Sequence, residues 1–157
     1  MDNDGLYRPL RGLRTTRLIQ LLPGDREDAI SIKLLEVELD DVRDTYEALS
    51  YCWGDPYITE RIRCGNGNVE VTSNAAAFLR QLRKPQQERL LWMDTISINQ
   101  SNREERTSQV KIMHIIYQFA ASVQAWLGPE GADSDLAMSH ALSLDSSNLI
   151  QDRKSVV

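Results

Sequence analysis

Two cysteines and two histidines in 157 residues leave little material for several kinds of chemistry. Cys52 and Cys64 lack metal-cluster spacing, and two thiols fit a reducing compartment better than a disulfide scaffold. His114 and His140 lie far apart, so no His/Cys/Asp group has ligand spacing and no metal is expected. No apolar run approaches the ~20 residues that a membrane-spanning helix needs. The opening Met1-Asp-Asn-Asp-Gly5 is acidic and lacks the apolar stretch of a secretory signal. A cytoplasmic location follows by elimination. Basic excess is missing too: 18 Lys and Arg against 23 Asp and Glu leave a net charge of −5. That balance provides no electrostatic footprint for nucleic acid. The one local cluster, Arg8, Arg11, Arg14 and Arg17, reads as a solvated surface segment. Neither a Walker-type loop nor a G-x-G-x-x-G pattern occurs.

What is present describes one globular domain. The hydrophobic fraction of 41% and charged fraction of 26% are ordinary for such a fold, and the length accommodates one core. A single domain is expected over 1–150, its core at about 46–142 and N-terminal strands within 7–40, followed by a flexible tail at 151–157.

Leu18 to Leu22, closed by Pro23-Gly24, predicts a strand and a turn. Ile30, Ile32 and Leu34 alternate with polar residues, as do Val37 and Leu39, which is the period of a half-buried strand. Gly65 to Asn68 between Ile62–Cys64 and Val69–Val71 predicts an antiparallel hairpin. Asn74 is placed to cap a helix burying Ala75, Phe78, Leu79 and Leu82, ended by Lys84-Pro85. Ser101 or Asn102 caps a long helix from about 103 to 120. Its two apolar stripes, Val110, Met113, Tyr117, Ala120 and Ile112, Ile116, Phe119, predict burial along much of its girth. A last helix capped by Asp133 or Ser134 runs through Leu142. Strands alternating with helices predict an α/β fold with a mainly parallel central sheet flanked by helices and an antiparallel hairpin insertion.

Three blocks carry most of the information: Tyr46 to Asp55, Leu91 to Gln100, and Ile116 to Gly128. Each reads as a buried strand running into polar or glycine-bearing residues, with Leu90–Ile98 as the second strand and Ser122–Leu127 as the third. Ligands in open α/β sheets collect at the carboxyl ends of strands, so these junctions point to one shared site.

The blocks resemble the heterokaryon-incompatibility (HET) domain of filamentous fungi. The resemblance rests on Tyr46-Glu-Ala-Leu-Ser-Tyr-x-Trp-Gly54 and Leu91-Trp-Met-Asp-x-Ile-x-Ile-Asn-Gln100. It continues through Glu105-Arg106, Gln109-Val110, Met113, Ile116-Tyr117, Ala120 and Trp126-Leu-Gly128, with Tyr7-x-Pro-Leu10 and Val71-Thr-x-Asn74 as linking pieces, and covers roughly 7–142. Ser97 stands where the family usually has cysteine, which argues against an essential thiol there. The early end after the third block suggests a short form or a piece of a longer protein. The resemblance implies fungal non-self recognition, a trigger of programmed cell death, and a distant relation to Toll/interleukin-1 receptor (TIR) domains with a TIR- or flavodoxin-like sheet. Some TIR domains cleave NAD with a glutamate and a base-stacking pocket. No cofactor is then required, NAD being a candidate substrate. The alternative is a non-catalytic death-signalling module acting by self-association, with other incompatibility or receptor domains as partners.

Cleaving a nicotinamide N-glycosidic bond passes through an oxocarbenium-like state that one carboxylate can stabilise. Glu105, in the first turn of the long helix, is the candidate; its alternative role is to cap the helix or complement its dipole. Asp94 lies within an apolar segment and needs partners, Arg106 or backbone amides. Arg106 suits a pyrophosphate or pairs with Asp94 or Glu47. Trp53 could stack on a base or belong to the core. Gly54 admits a close approach, beside Asp55. Asn99 and Gln100 offer amides to a ligand or hold their loop in shape.

Overall fold

The computed structural model describes residues 5–128 and the backbone of Lys154–Val156. The alternating N-terminal segments form β1 (Thr15–Leu21) and β2 (Ser31–Glu38), antiparallel from Thr15 opposite Glu38 to Leu21 opposite Ile32. A single 3-10 turn, Leu39–Asp41, leads to β3 (Glu47–Tyr51). The predicted hairpin is β4 (Thr59–Cys64) and β5 (Gly67–Thr72). Its turn is tighter than the Gly/Asn run suggested, because Gly65 takes a positive φ of 56° and Gly67 already pairs with Cys64.

Helix α1 (Ser73–Leu82) follows, then β6 (Arg89–Trp92), the short α2 (Asp94–Ser97), α3 (Arg103–Phe119), β7 (Ser122–Trp126) and β8 (Lys154–Val156). One mixed sheet runs β5-β4-β2-β1-β6-β3-β7-β8. Strands β6, β3, β7 and β8 are mutually parallel, β1 is antiparallel to β6, and β2 lies parallel to β4. The parallel set predicted from the three blocks is there. The N-terminal strands are not an appendage, since β1 is seated between β2 and β6 in the middle of the sheet.

Two cores follow from strand alternation. On one face Ile19, Leu21, Ile32, Leu49, Leu91 and Met93 pack under Ala75, Phe78, Leu79 and Leu82 of α1. On the other Leu18, Ala48 and Trp92 pack under Ile116 and Phe119 of α3. Helix α3 is also pinned by a buried polar chain: the Trp92 indole donates to Thr16 Oγ1 (3.0 Å), Thr16 donates to Gln109 Oε1 (2.7 Å), and Gln109 Nε2 donates to the Thr15 carbonyl (2.8 Å). The Trp92 indole, the Thr16 hydroxyl and both amide atoms of Gln109 therefore each have a partner, the condition for burying such groups without penalty.

Several local expectations need correction. The predicted strand 90–98 ends at Trp92, and Asp94–Ser97 turns into α2. Ser97 Oγ accepts from the Met93 amide (3.2 Å), and the Ser97 amide donates to the Met93 carbonyl (2.7 Å). These local bonds replace a strand ladder while Ile96 and Ile98 stay buried. Thr72, not Asn74, caps α1 by accepting from the Ala75 amide. Asn102 is the cap selected for α3. Val110 is 56% exposed, so α3 buries less of its girth than its two stripes predicted. Within the expected tail, the backbone of Lys154–Val156 pairs with β7. The rest of that segment and the helix predicted through Leu142 lie outside the described residues.

Candidate functional site

Strands β6 and β7 flank β3. The chain passes from β3 to β6 by way of α1 on one face and from β6 back past β3 to β7 by way of α3 on the other, so the carboxyl ends of these strands form a topological switch point. Polar groups gather there, as expected for this class of sheet. Asp94 follows β6 directly and is half-buried. Its carboxylate accepts from the Thr95 amide (2.8 Å) and from the Trp53 indole. Burial pushes the carboxyl pKa upward, opposed by those two donors. Tyr51 at the end of β3 shares a 2.6 Å hydrogen bond with Thr95 Oγ1, and burial lifts its phenol to about 12. Tyr117 of α3 donates to the Leu49 carbonyl (3.1 Å); burial, then the Asp94 charge, raises its pKa as well. Trp126, at the end of β7, stacks on Phe78 with ring centroids 5.3 Å apart.

The loop after β3 closes over this group. Trp53 is 45% exposed although its indole reaches Asp94. Gly54 has φ 71°, and a Cβ there would collide with the side-chain amide of Asn74. That amide donates to the Cys52 carbonyl (3.3 Å) and ties the loop to α1. Asp55 shapes the loop through its Oδ1, which accepts from the Tyr57 amide (2.9 Å). Beyond it Tyr57 and Ile58 stand exposed.

Glu105 occupies a different setting. Its carboxylate pairs with Arg17, and both side chains are almost fully buried. Oε1 also accepts from the Asn99 amide (2.8 Å), and Oε2 from Arg17 Nη2 (3.0 Å). Arg17 donates further to the Arg8 and Ser97 carbonyls and lies under the Tyr7 ring. Tyr7 in turn donates to the Ile96 carbonyl (2.9 Å). This network holds the far end of α2 against β1. Glu105 is therefore a buried anchor beside the Asp94 group, while its backbone N–H donates to Asn102 Oδ1, the side-chain cap of α3.

Gln100 reaches the site through its side-chain amide, which donates to the Asp94 carbonyl (2.9 Å). Asn99 Oδ1 accepts from the Ser101 amide and holds its loop. Arg106 is exposed, and neither expected partner takes it: Glu47 pairs with Arg89 at the opposite end of the strands, and Asp94 is held by Thr95 and Trp53. Arg17, expected from the sequence to lie in a solvated surface segment, is instead 3% exposed within β1, and the sequence marks neither Tyr7 nor Tyr51 as a site residue. Arg17 carried a usable signal, a cation within an otherwise apolar strand, which requires a buried anion. Among the described residues no His/Cys/Asp/Glu group could hold a metal ion. The two prominent cavities lie elsewhere, one along β2 and the hairpin and one beside α1.

The fold and these strand ends define a three-layer α/β domain with a carboxylate, tyrosines and an exposed indole at its switch point. The profile of the heterokaryon incompatibility protein (HET) family matches residues 46–156, and the chain belongs to that family. It is 38% identical over 107 residues to "Heterokaryon incompatibility protein 6, OR allele" of Neurospora crassa, an alignment covering 60% of this chain and 16% of that protein. The chain thus spans a small part of its curated relative's length. No solved structure matches it.

Proposed function

We propose that this chain is a non-self recognition domain of the heterokaryon-incompatibility type that triggers cell death by TIR-like cleavage of NAD at the Asp94 group. The observation carrying this reading is a half-buried carboxylate of raised pKa beside a partly exposed indole and two tyrosines, at the switch point of the parallel strands. Asp94 would stabilise the oxocarbenium-like state, and Trp53 would contact the base or the departing nicotinamide. The pyridinium takes the electron pair of the broken C–N bond and departs as neutral nicotinamide, while water adds to the anomeric carbon and releases its proton to solvent. No acidic group is needed for the leaving group, so one carboxylate suffices. Glu105, with its oxygens engaged by Arg17 and Asn99, acts in this reading as a positioning residue. Because Trp53 covers Asp94, substrate entry requires the loop Cys52–Ile58 to lift.

Nicotinamide release by purified protein tests the reading. Release is expected from wild type and abolished in Asp94→Asn with the fold intact. Release at the wild-type rate by Asp94→Asn, or none from a correctly assembled wild type, removes it. A second reading, a non-catalytic module acting by self-association, is favoured by the exposure of Tyr57 (91%) and Ile58 (58%) on the same loop. It is distinguished by cell-killing that survives Asp94→Asn but not Tyr57→Ser.

A further inference from the structure

Strand β2 is paired along its whole length with β1 but meets β4 only at Ser31 and Ile32. The hairpin then turns away at Gly65, whose amide donates to the Ile32 carbonyl (3.0 Å). By the two-residue period of a strand, the N–H and C=O of Leu34 and Glu36 point the same way as those of Ile32, off the β1 side. The Leu34 amide reaches the Cys64 thiol. From there to Glu38 no described strand pairs with this edge.

Free edges are commonly blunted by charge, and Lys33 and Glu36 fit that pattern. Here, however, the edge is recessed. A groove of about 850 Å³ runs along Lys33–Glu36, walled on one side by Gly5, Leu6 and Arg8 and on the other by the hairpin tip Cys64–Asn68. A slot walled on both sides admits one extended segment and obstructs the edge of a second folded domain. Of its charges, Arg17 is committed to Glu105, while Arg8 and Lys33 are exposed and outnumber Glu36, in a chain whose net charge is −5. We propose that this groove binds an extended acidic peptide segment of a partner protein, which adds a strand to β2 in line with β4. Main-chain bonds to the Leu34 carbonyl and to the Glu36 amide and carbonyl supply the pairing, the Leu34 amide being held by Cys64; Leu6, Leu34 and Leu35 face its side chains, and Arg8 and Lys33 select for carboxylates.

The probe is a fluorescein-labelled octapeptide of alternating valine and threonine ending in two aspartates, compared with its counterpart ending in two lysines. The acidic probe is expected to bind at least roughly tenfold more tightly, given two exposed charge pairs. Glu36→Pro, which removes the outward N–H and leaves the bonds to β1, is expected to abolish binding. Glu36→Ala, which keeps that N–H and removes the opposing carboxylate, binds as well as wild type or better. Should Glu36→Pro fail to fold, the pair Arg8→Glu, Lys33→Glu is expected to reverse the preference between the probes. Equal binding of both probes, or of Glu36→Pro and Glu36→Ala, overturns the proposal. So does concentration-dependent self-association that disappears in Glu36→Pro, persists in Glu36→Ala and competes with the probe, because the occupant would then be a second copy.

Discussion

Arg17 and Glu105 sit in the same low-dielectric pocket and satisfy one another, so either alone would be a buried, unpaired charge. Arg17→Met is expected to cost about 3–5 kcal/mol in urea unfolding, the range for removing one partner of a buried pair. The double variant Arg17→Met, Glu105→Leu is expected to recover part of that loss, because it leaves no orphaned charge. The Asn99 amide, which Glu105 now accepts, limits the recovery. Asp94 gives a pH-dependent prediction. Burial raises its folded-state pKa above the ordinary 3.8, so the folded protein holds this proton more tightly than the unfolded chain. That contribution is fully present below the ordinary value and is lost as pH rises through the raised one. Asp94→Asn is therefore expected to melt above wild type at neutral pH, with the gap closing in acid. Thermal melts across that range would check it; a constant gap would show that Asp94 does not titrate differently on folding.

At the level of elements, the loop between β3 and β4 is fixed by one backbone angle and one side chain. Gly54 has φ 71°, where an L-residue costs roughly 1–2 kcal/mol, and its missing Cβ leaves space for Asn74. Gly54→Ala is expected to destabilise by about 2–3 kcal/mol once the collision with Asn74 is included. Adding Asn74→Ala should relieve only the collision, as chemical denaturation of both variants would show. This loop also shows where sequence reading stops. A glycine after a strand signals an unusual turn, but the residue it must accommodate lies 20 positions later on α1, and no local pattern names it. The strand predicted over 90–98 failed for a related reason. Apolar alternation cannot separate a short strand from a strand followed by a single helical turn, and Ser97 closed that turn through Met93.

For the molecule as a whole, the HET profile begins at residue 46, yet β1 lies in the middle of the sheet and β2 beside it. Leu18, Ile19, Leu21, Ile30, Ile32 and Leu39 are all buried ahead of that point. At roughly 1.5–3 kcal/mol each, they match the ~5–15 kcal/mol net stability of an ordinary domain. A fragment 46–157 is expected to lack cooperative unfolding and near-ultraviolet circular dichroism; a sharp transition in that fragment would refute the central role of β1. No helix among the described residues is long and apolar enough to cross a membrane.

The sequence by itself determined the alternation of strands and helices, the hairpin, a cap for the long helix at Ser101 or Asn102, and the three strand-end blocks. All of these depend on local periodicity or on nearest-neighbour backbone chemistry. It also carried the family, whose ordered motifs survive in one dimension. Only the tertiary structure decided that β1 inserts beside β6, that Arg17 claims Glu105 from 88 positions away, and that Trp53 and Tyr51 surround Asp94. Those outcomes follow from which buried charge finds which partner and which edge a strand covers, and long-range pairing of that kind leaves no periodic mark in the chain.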